Sequence, residues 1–374
     1  MADLQLNLKP IVQQSFSSMN SLPQNVHSLF TSVKRAAAGF GVVPAEIGDR
    51  FVRRLRATDD ELLPHNLYEH VNLEDASAPR RRRLPETIAA CRRELSVLAG
   101  VTGTTREWMA ENVSEAAWHS LVHGPLLNIA INGPADPDDY DDDDTDAEEG
   151  DVNQTRGARS VSFWDITSAR THAAYLPRNA GGNPLEGKMV DFCLTVSDLD
   201  VQAAARRTLQ ASIAAFTQDS LIDHSINHTD YEPLTLRPVS ISMETEASNG
   251  GTQEGKAQLS VWAATHFARL RALKSFKRRQ DRDAQRDECY HGGAPSPEDE
   301  AISMALPLLL TSGSRWRLFF ALDRRDTIAV LETITIGDTD TLIGCYKVVA
   351  ALRDLAAWSE TTFRTWLMKE VLLS

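Results

Sequence analysis

The chain of 374 residues has few cysteines and no long apolar run, and both absences narrow its class. The four cysteines are far apart without Cys-x-x-Cys spacing, which argues against a zinc site and a disulfide framework. They are Cys91, Cys193, Cys289 and Cys345. No stretch approaches the roughly 18 apolar residues of a membrane span. The first residues alternate polar and apolar side chains, unlike a signal peptide. We therefore expect an intracellular protein, cytoplasmic or nuclear, that is neither secreted nor bound to a membrane.

The chain also lacks excess positive charge, because 52 Asp and Glu residues outnumber 39 Lys and Arg residues and give a formal net charge of −13. Eleven acidic residues and no basic one lie between Asp136 and Asp151, and the remaining chain carries about −2. Such a run repels itself and cannot bury apolar surface, so we predict a disordered acidic insertion at 135–157. A solvated linker is favoured there over a phosphate mimic that covers a basic groove. The opposite run, Arg80–Arg83, predicts an exposed loop, with a nuclear-import signal or a phosphate contact as alternatives.

Composition and apolar periodicity divide the chain into three regions. Residues 1–24 are rich in Ser, Asn and Gln and are predicted to be a disordered tail, residues 25–103 a helical N-terminal region, and residues 104–374 the main domain. In the N-terminal region, apolar stripes predict helices at Val26–Ala37, Pro44–Arg56 and Pro85–Leu98.

The main domain alternates predicted helices and strands, which is typical of an α/β fold. In chain order we predict a helix at Ser114–His123, a strand at Met189–Leu194, a helix at Asp200–Phe216, a strand at Val239–Glu246, a helix at Lys256–Lys274, a loop from Lys277 through His291–Pro295, strands at Leu306–Leu310, Arg315–Leu322 and Thr327–Ile336, and two helices within Thr339–Leu373 that join near Ser359.

Two predicted strands each carry a carboxylate, Asp191 and Glu244. They are about fifty residues apart, too far for a local turn, so only sheet pairing can bring them together. Carboxylates on paired strands can build one divalent-metal site, which indicates a metal-dependent hydrolase core. On the preceding helix, Glu115, Trp118 and His119 share a face, and we interpret the tryptophan and histidine as core residues rather than catalytic ones.

These residues resemble the PD-(D/E)xK nuclease superfamily, in particular its fungal nuclease-like branch. The resemblance extends from Val26 to Leu373. It depends on the Glu115 helix, on Asp191, and most specifically on the segment from Asn227 to Trp262, which contains Asn-His-Thr-x-Tyr, Glu-x-Glu and Gln-Leu-x-x-Trp. It implies a restriction-endonuclease-like core in residues 104–374, with a central mixed β-sheet flanked by helices.

The same resemblance implies the residues of the site. Asp191 and Glu244 would be metal ligands with the backbone carbonyl of Thr245, Glu115 would extend the metal site, and Gln258 would orient the motif or the nucleic-acid end. Oxygen ligands suit Mg²⁺ or Mn²⁺. The implied activity is hydrolysis of phosphodiester bonds in a nucleic acid, with DNA favoured over RNA. Oligomeric state leaves no trace in the sequence.

One position departs from the family motif, because Glu246 stands where a lysine is usual. Strand alternation places Glu244 and Glu246 on one face, where Glu246 could act as a base or as a further metal ligand. Lys256 and, more weakly, Lys188 are candidates for a displaced catalytic lysine; a solvated lysine is the alternative for each. The departure leaves two other functions open, an inactive nuclease-like binding module and an enzyme with a small-molecule substrate.

Overall fold

A computed structural model describes residues 2–56, 67–69, 88–133, 160–215, 224–246, 252–284 and 301–373. The predicted acidic insertion at 135–157 and the arginine run Arg80–Arg83 lie outside these residues. Within the described ranges, no helix combines the length and the apolar character that crossing a bilayer requires.

The described strands form a seven-stranded sheet and a separate pair of two-residue strands. The strands of the large sheet are β1 (Ile11–Ser15), β4 (Val161–Asp165), β5 (Phe192–Val196), β6 (Val239–Glu246), β7 (Leu306–Ser312), β8 (Arg315–Asp323) and β9 (Ile328–Asp338). Strands β2 (Val43–Pro44) and β3 (Tyr68–Glu69) make up the small pair.

Helices cover both faces of the large sheet. They are α1 (Ala2–Gln5), α2 (His27–Ala37), α3 (Gly48–Arg56), α4 (Ile88–Trp108), α5 (Glu115–Trp118), α6 (Gly124–Asn132), α7 (Leu199–Ala214), α8 (Thr252–Ala284), α9 (Leu342–Trp358) and α10 (Arg364–Glu370). A π-helical turn at His119–His123 joins α5 to α6, and another at Ser359–Phe363 joins α9 to α10. The second turn lies where the sequence predicts a junction near Ser359.

The sheet is mixed, in the order β1-β9-β8-β7-β6-β5-β4. Strands β4, β5 and β6 are antiparallel neighbours; α8 then crosses over, and β7 returns parallel to β6. Strands β8 and β9 continue the sheet in antiparallel pairs, and they lie where strands are predicted at Arg315–Leu322 and Thr327–Ile336. This arrangement confirms the predicted α/β fold with a restriction-endonuclease-like core. Strand β4 was not predicted.

Two helical layers position the site. Helix α8 packs against β6, β7 and β8, and the indole nitrogen of Trp262 donates to Ser242 Oγ over 2.9 Å. The other layer is built around α9, which packs against α2, α4, α6 and β9. Helix α4 runs through the predicted domain boundary between residues 103 and 104, so the N-terminal region and the main domain share one helix.

The first residues differ from the predicted disordered tail. Strand β1 pairs with β9 in parallel over five residues, from Ile11 opposite Ile328 to Ser15 opposite Glu332. The Ile11 side chain is 1% exposed, and Lys9 Nζ lies 2.6 Å from Asp323 Oδ1. The polar composition of residues 1–24 concealed this strand because its pairing partner lies at the other end of the sequence.

Helix α8 is longer than predicted and includes part of the expected loop. It continues to Ala284, and Phe276 extends the buried face that Leu270 and Leu273 form beyond the expected C-terminus at Lys274. Most of the charged residues that suggested a loop are exposed, and the largely buried Lys277 forms an i,i+4 pair with the exposed Asp281 at 4.0 Å. Residues 285–300 lie outside the described part of the chain.

The loop before β6 is closed by Asn227. Its Nδ2 donates to Leu234 O (2.7 Å) and Arg237 O (2.9 Å), and its Oδ1 accepts from Val239 N (2.9 Å). The adjacent His228 is buried, with its ring stacked on His266 at 4.6 Å between centroids. Burial lowers the pKa of His266 to about 3 and that of His228 well below its usual value.

Replacing Ile11 with alanine should lower the free energy of unfolding by about 2–5 kcal/mol, because β1 buries this side chain in the sheet. The exposed neighbour Gln14 on the same strand is the matched control, and Gln14→Ala should change stability by less than about 0.5 kcal/mol. Thermal or urea unfolding measures both. Equal stability of Ile11→Ala and the wild type would instead support the prediction of a disordered tail.

The buried His228 and His266 should make the fold sensitive to acid. Their depressed pKa values leave them neutral when folded, while the unfolded chain takes up protons near pH 6.5, so stability is complete above about pH 6.5 and falls below it. His266→Phe should recover about 2 kcal/mol of the loss at about pH 5. The exposed His224→Gln should recover none. Melting temperatures across pH check this, and an unchanged acid loss in His266→Phe would contradict it.

Candidate metal centre

Asp191 stands directly before β5 and is fixed to β6 by backbone and side-chain bonds. Its N–H donates to Met243 O over 3.0 Å. Its Oδ2 accepts from the backbone N–H of Thr245 at 2.7 Å and from the Thr245 hydroxyl at 2.8 Å. The sheet pairing therefore brings Asp191 against the Glu-x-Glu segment, as its distant position in the sequence requires.

Glu115 on α5 and His119 in the π-helical turn that follows both lie close to Asp191. His119 Nε2 lies 3.8 Å from Asp191 Oδ2 and 3.9 Å from Glu115 Oε1. One ligand atom from each of the three residues lies within 4.8 Å of the other two, a spacing that one metal ion can bridge. His119 begins the π-helical turn, a feature frequently found at functional sites.

The Thr245 side chain occupies the centre of this cluster. Its hydroxyl lies 2.6 Å from His119 Nε2, 2.8 Å from Asp191 Oδ2 and 3.1 Å from Glu115 Oε1. The single hydroxyl proton can serve only one carboxylate at a time, so the other remains available to a cation. The role predicted for Thr245, a carbonyl ligand, stays a prediction; its side chain is the part that contacts the cluster.

Glu244 points away from Thr245, towards α8, and is almost completely buried. Its Oε1 accepts from Gln258 Nε2 at 2.8 Å, whereas its Oε2 has no hydrogen-bond partner among the described residues. Burial raises the pKa of Glu244 to about 10, and the nearby charges of Asp191, Glu115, Glu246 and Glu254 add to the increase. Gln258 thus contacts a predicted ligand directly.

Glu246 shares the α8 side of β6 with Glu244, as strand alternation predicts. Its Oε1 accepts from the Gly255 backbone N–H at 2.6 Å, so it anchors the first turn of α8. A Cβ at Gly255 would lie 2.7 Å from Leu310 Cδ1 and 2.8 Å from Glu246 Oε1, which explains the glycine. Burial raises the pKa of Glu246 above its usual value.

The two candidate lysines are both paired with carboxylates. Lys256 Nζ lies 2.6 Å from Glu332 Oε2 and 5.8 Å from the ring centre of Phe319, which directs it towards β8 and β9. Lys188 Nζ lies 3.0 Å from Glu186 on the surface. A catalytic role for Lys256 or Lys188 would require release of its carboxylate partner, and that role stays a prediction.

The predicted residues therefore form two groups on either side of β6. Glu115, Asp191 and Thr245 lie in one group with His119, which the sequence led us to interpret as a core residue. Glu244, Glu246 and Gln258 lie in the other. The four-residue spacing of Glu115 and His119 was the signal that could have placed the histidine in the site.

The chemistry of these side chains fits a divalent cation. A buried carboxylate without a hydrogen-bond partner on one oxygen is costly unless it is protonated or lies beside a positive charge. Glu244 is such a group, and its negative neighbours make ionisation without a cation still less favourable. Carboxylate oxygens bind Mg²⁺ and Mn²⁺, and an imidazole nitrogen at His119 is a better ligand for a transition-metal ion than for Mg²⁺.

Comparison with known families agrees with this geometry. The chain matches the family model of the PD-(D/E)XK nuclease superfamily over residues 59–364. The match covers more than half of the chain, so the protein belongs to this superfamily. Neither a comparison with curated proteins nor one with solved structures gave a significant match. The family match specifies no branch, so the resemblance to the fungal branch stays a prediction.

Substitutions of Glu246 can distinguish a structural role, in which it accepts the Gly255 hydrogen bond, from a chemical role in the reaction. Glu246→Gln keeps an oxygen that can accept from Gly255, so its stability should match that of the wild type within about 0.5 kcal/mol. Glu246→Ala removes the acceptor and should cost about 1–2 kcal/mol in unfolding free energy. Equal stability of the two variants would contradict the anchor. Loss of metal-dependent activity in a stable Glu246→Gln would instead support a base or a ligand.

Proposed function

We propose that the protein is a divalent-metal-dependent nuclease that hydrolyses phosphodiester bonds, with DNA as the favoured substrate over RNA. The observation that carries the proposal is the buried Glu244 carboxylate, which has one oxygen without a hydrogen-bond partner among the described residues and whose pKa is raised by burial and by the charges of Asp191 and Glu115. Membership of the nuclease superfamily supports the reaction class.

The proposed ligands are Asp191 and Glu115 on one side of β6, with Glu244 from the α8 side and the carbonyl oxygen of Thr245 from the strand between them. We add His119, because its Nε2 lies within 4 Å of both neighbouring carboxylates. A bound divalent ion in such a site would activate water and offset the negative charge that develops on the phosphoryl group. The histidine favours Mn²⁺ over Mg²⁺, since imidazole is a softer ligand than a carboxylate oxygen.

The remaining residues would orient these ligands. Thr245 fixes Asp191 through two donors, and Gln258 fixes Glu244 through one. Glu246 holds the start of α8, and thereby the helix that carries Gln258. A fixed geometry matters because a ligand that must be reorganised loses part of its contribution to binding and catalysis.

A binding module without catalysis is the second candidate function. The observation that favours it is Glu246, which stands in place of the motif lysine and already accepts a hydrogen bond from the Gly255 backbone N–H. The two functions differ in whether a bound metal ion leads to cleavage.

Asp191→Asn and Glu244→Gln should each abolish Mn²⁺-dependent cleavage of a DNA substrate, because each removes a charge from the proposed metal site. Calorimetric titration should show weaker Mn²⁺ binding in both, and a loss of about 10–100-fold in Gln258→Ala, which removes only the supporting hydrogen bond. Glu111→Gln, an exposed carboxylate outside the site, is the matched control for charge.

Wild-type cleavage by both Asp191→Asn and Glu244→Gln would refute the nuclease proposal. Tight Mn²⁺ binding that needs Glu244, without cleavage of DNA or RNA, would favour the binding module. Tighter binding of Mg²⁺ than of Mn²⁺ would remove His119 from the ligand set.

A further inference from the structure

Two arginines on β8 lie across one strand from the two glutamates of β6. Arg317 pairs with Leu310 of β7, and Leu310 pairs with Glu244 of β6. One step along the sheet edge, Arg315 pairs with Ser312, which pairs with Glu246. Residues in one cross-strand row share a face of the sheet, so both arginines project on the α8 side with the glutamates.

The distance between the β6 glutamates and the β8 arginines leaves the arginines able to contact a group other than the glutamates. Strands in a sheet lie about 4.8 Å apart, so the β6 and β8 backbones are roughly 10 Å from each other with Leu310 between them. Arginine and glutamate side chains extend over part of this gap, and the positive charge of Arg317 lowers the pKa of Glu246 against the effect of burial. No ion pair within 4.0 Å joins Arg317 to a described residue.

Other cations near this layer are already paired. Lys256 is held by Glu332 at 2.6 Å, Arg271 by Asp323 at 2.7 Å and Lys274 by Glu370 at 3.4 Å. In contrast, the half-buried Arg317 and the exposed Arg315 have no side-chain hydrogen bond with another described residue. A guanidinium in this state presents a planar set of donors that matches a phosphate in a bidentate geometry.

We propose that Arg317, with Arg315 beside it, binds the phosphodiester backbone of a nucleic acid beside Glu246, where β6 ends and β8 begins; Leu310, buried under Gly255 of α8, closes the direct path across β7 to Glu244. The inference rests on the proposed nuclease function and specifies where its substrate is held. It also makes Arg317 the source of the positive charge that the motif loses because Glu246 stands in place of lysine. Because the chain carries a net charge of −13, backbone binding needs such a local positive region.

The test is binding of a fluorescein-labelled single-stranded DNA to the full-length protein, measured by anisotropy at several NaCl concentrations. Ca²⁺ replaces Mn²⁺ so that the carboxylates are neutralised by an ion with a looser ligand shell. Arg317→Gln should weaken binding about tenfold, since a charge-assisted hydrogen bond is lost. The slope of log affinity against log salt should become smaller by about 0.7, and by about twice that in the double variant with Arg315→Gln.

Two further variants make the result specific. Arg317→Lys keeps the charge but not the planar fork, so it should keep the salt slope while binding more weakly than the wild type. Arg325→Gln removes the same charge from the exposed turn at the other end of β8 and should bind as the wild type does. Melting temperatures of all variants should match, which separates binding from folding.

The outcomes distinguish this inference from the proposed nuclease function. Binding that depends on Arg317 in a protein that never cleaves supports the inference and refutes the activity. Cleavage and binding that are the same in Arg317→Gln and Arg325→Gln overturn the inference alone. A wild-type protein that binds neither DNA nor a matched RNA overturns both.

Discussion

The register of β6 is the constraint on which the site depends. This strand is antiparallel to β5 and parallel to β7, and its successive side chains alternate between two helical layers. Glu244 and Glu246 meet α8, while Thr245 meets the helix that carries Glu115 and His119. A slip of one residue would exchange these faces, so the same sheet pairing that builds the fold also sorts the acidic groups.

The cost of buried charge connects this arrangement to function. Folding alone gives no reason to place Glu244 where one oxygen lacks a partner and other carboxylates lie nearby. The surrounding contacts hold the carboxylate in position but do not neutralise it, since Gln258 is an uncharged donor. Without a cation this site favours the protonated form of Glu244, as its raised pKa indicates, and a ligand of positive charge would instead stabilise the ionised carboxylate, which is consistent with membership of a nuclease superfamily.

Local patterns in the sequence predicted most elements of the core, but not the pairs that depend on distant neighbours. Alternation predicted that Glu244 and Glu246 share a face, and apolar runs predicted β7, β8 and β9. Strand β1 was missed because its composition is polar and its partner is β9. For the same reason, the pairing of Lys256 with Glu332 and the row that aligns Arg317 with Glu244 could not be read from spacing.

The pairing of β1 with β9 also has a consequence for the order of events during synthesis. Ile328, the partner of Ile11, is synthesised more than three hundred residues after it. At about 5–20 residues per second, the first strand waits roughly 15–60 s for its neighbour. Until β9 has been made, β1 has no partner strand, so the apolar side chain of Ile11 must be shielded by something other than its native neighbour.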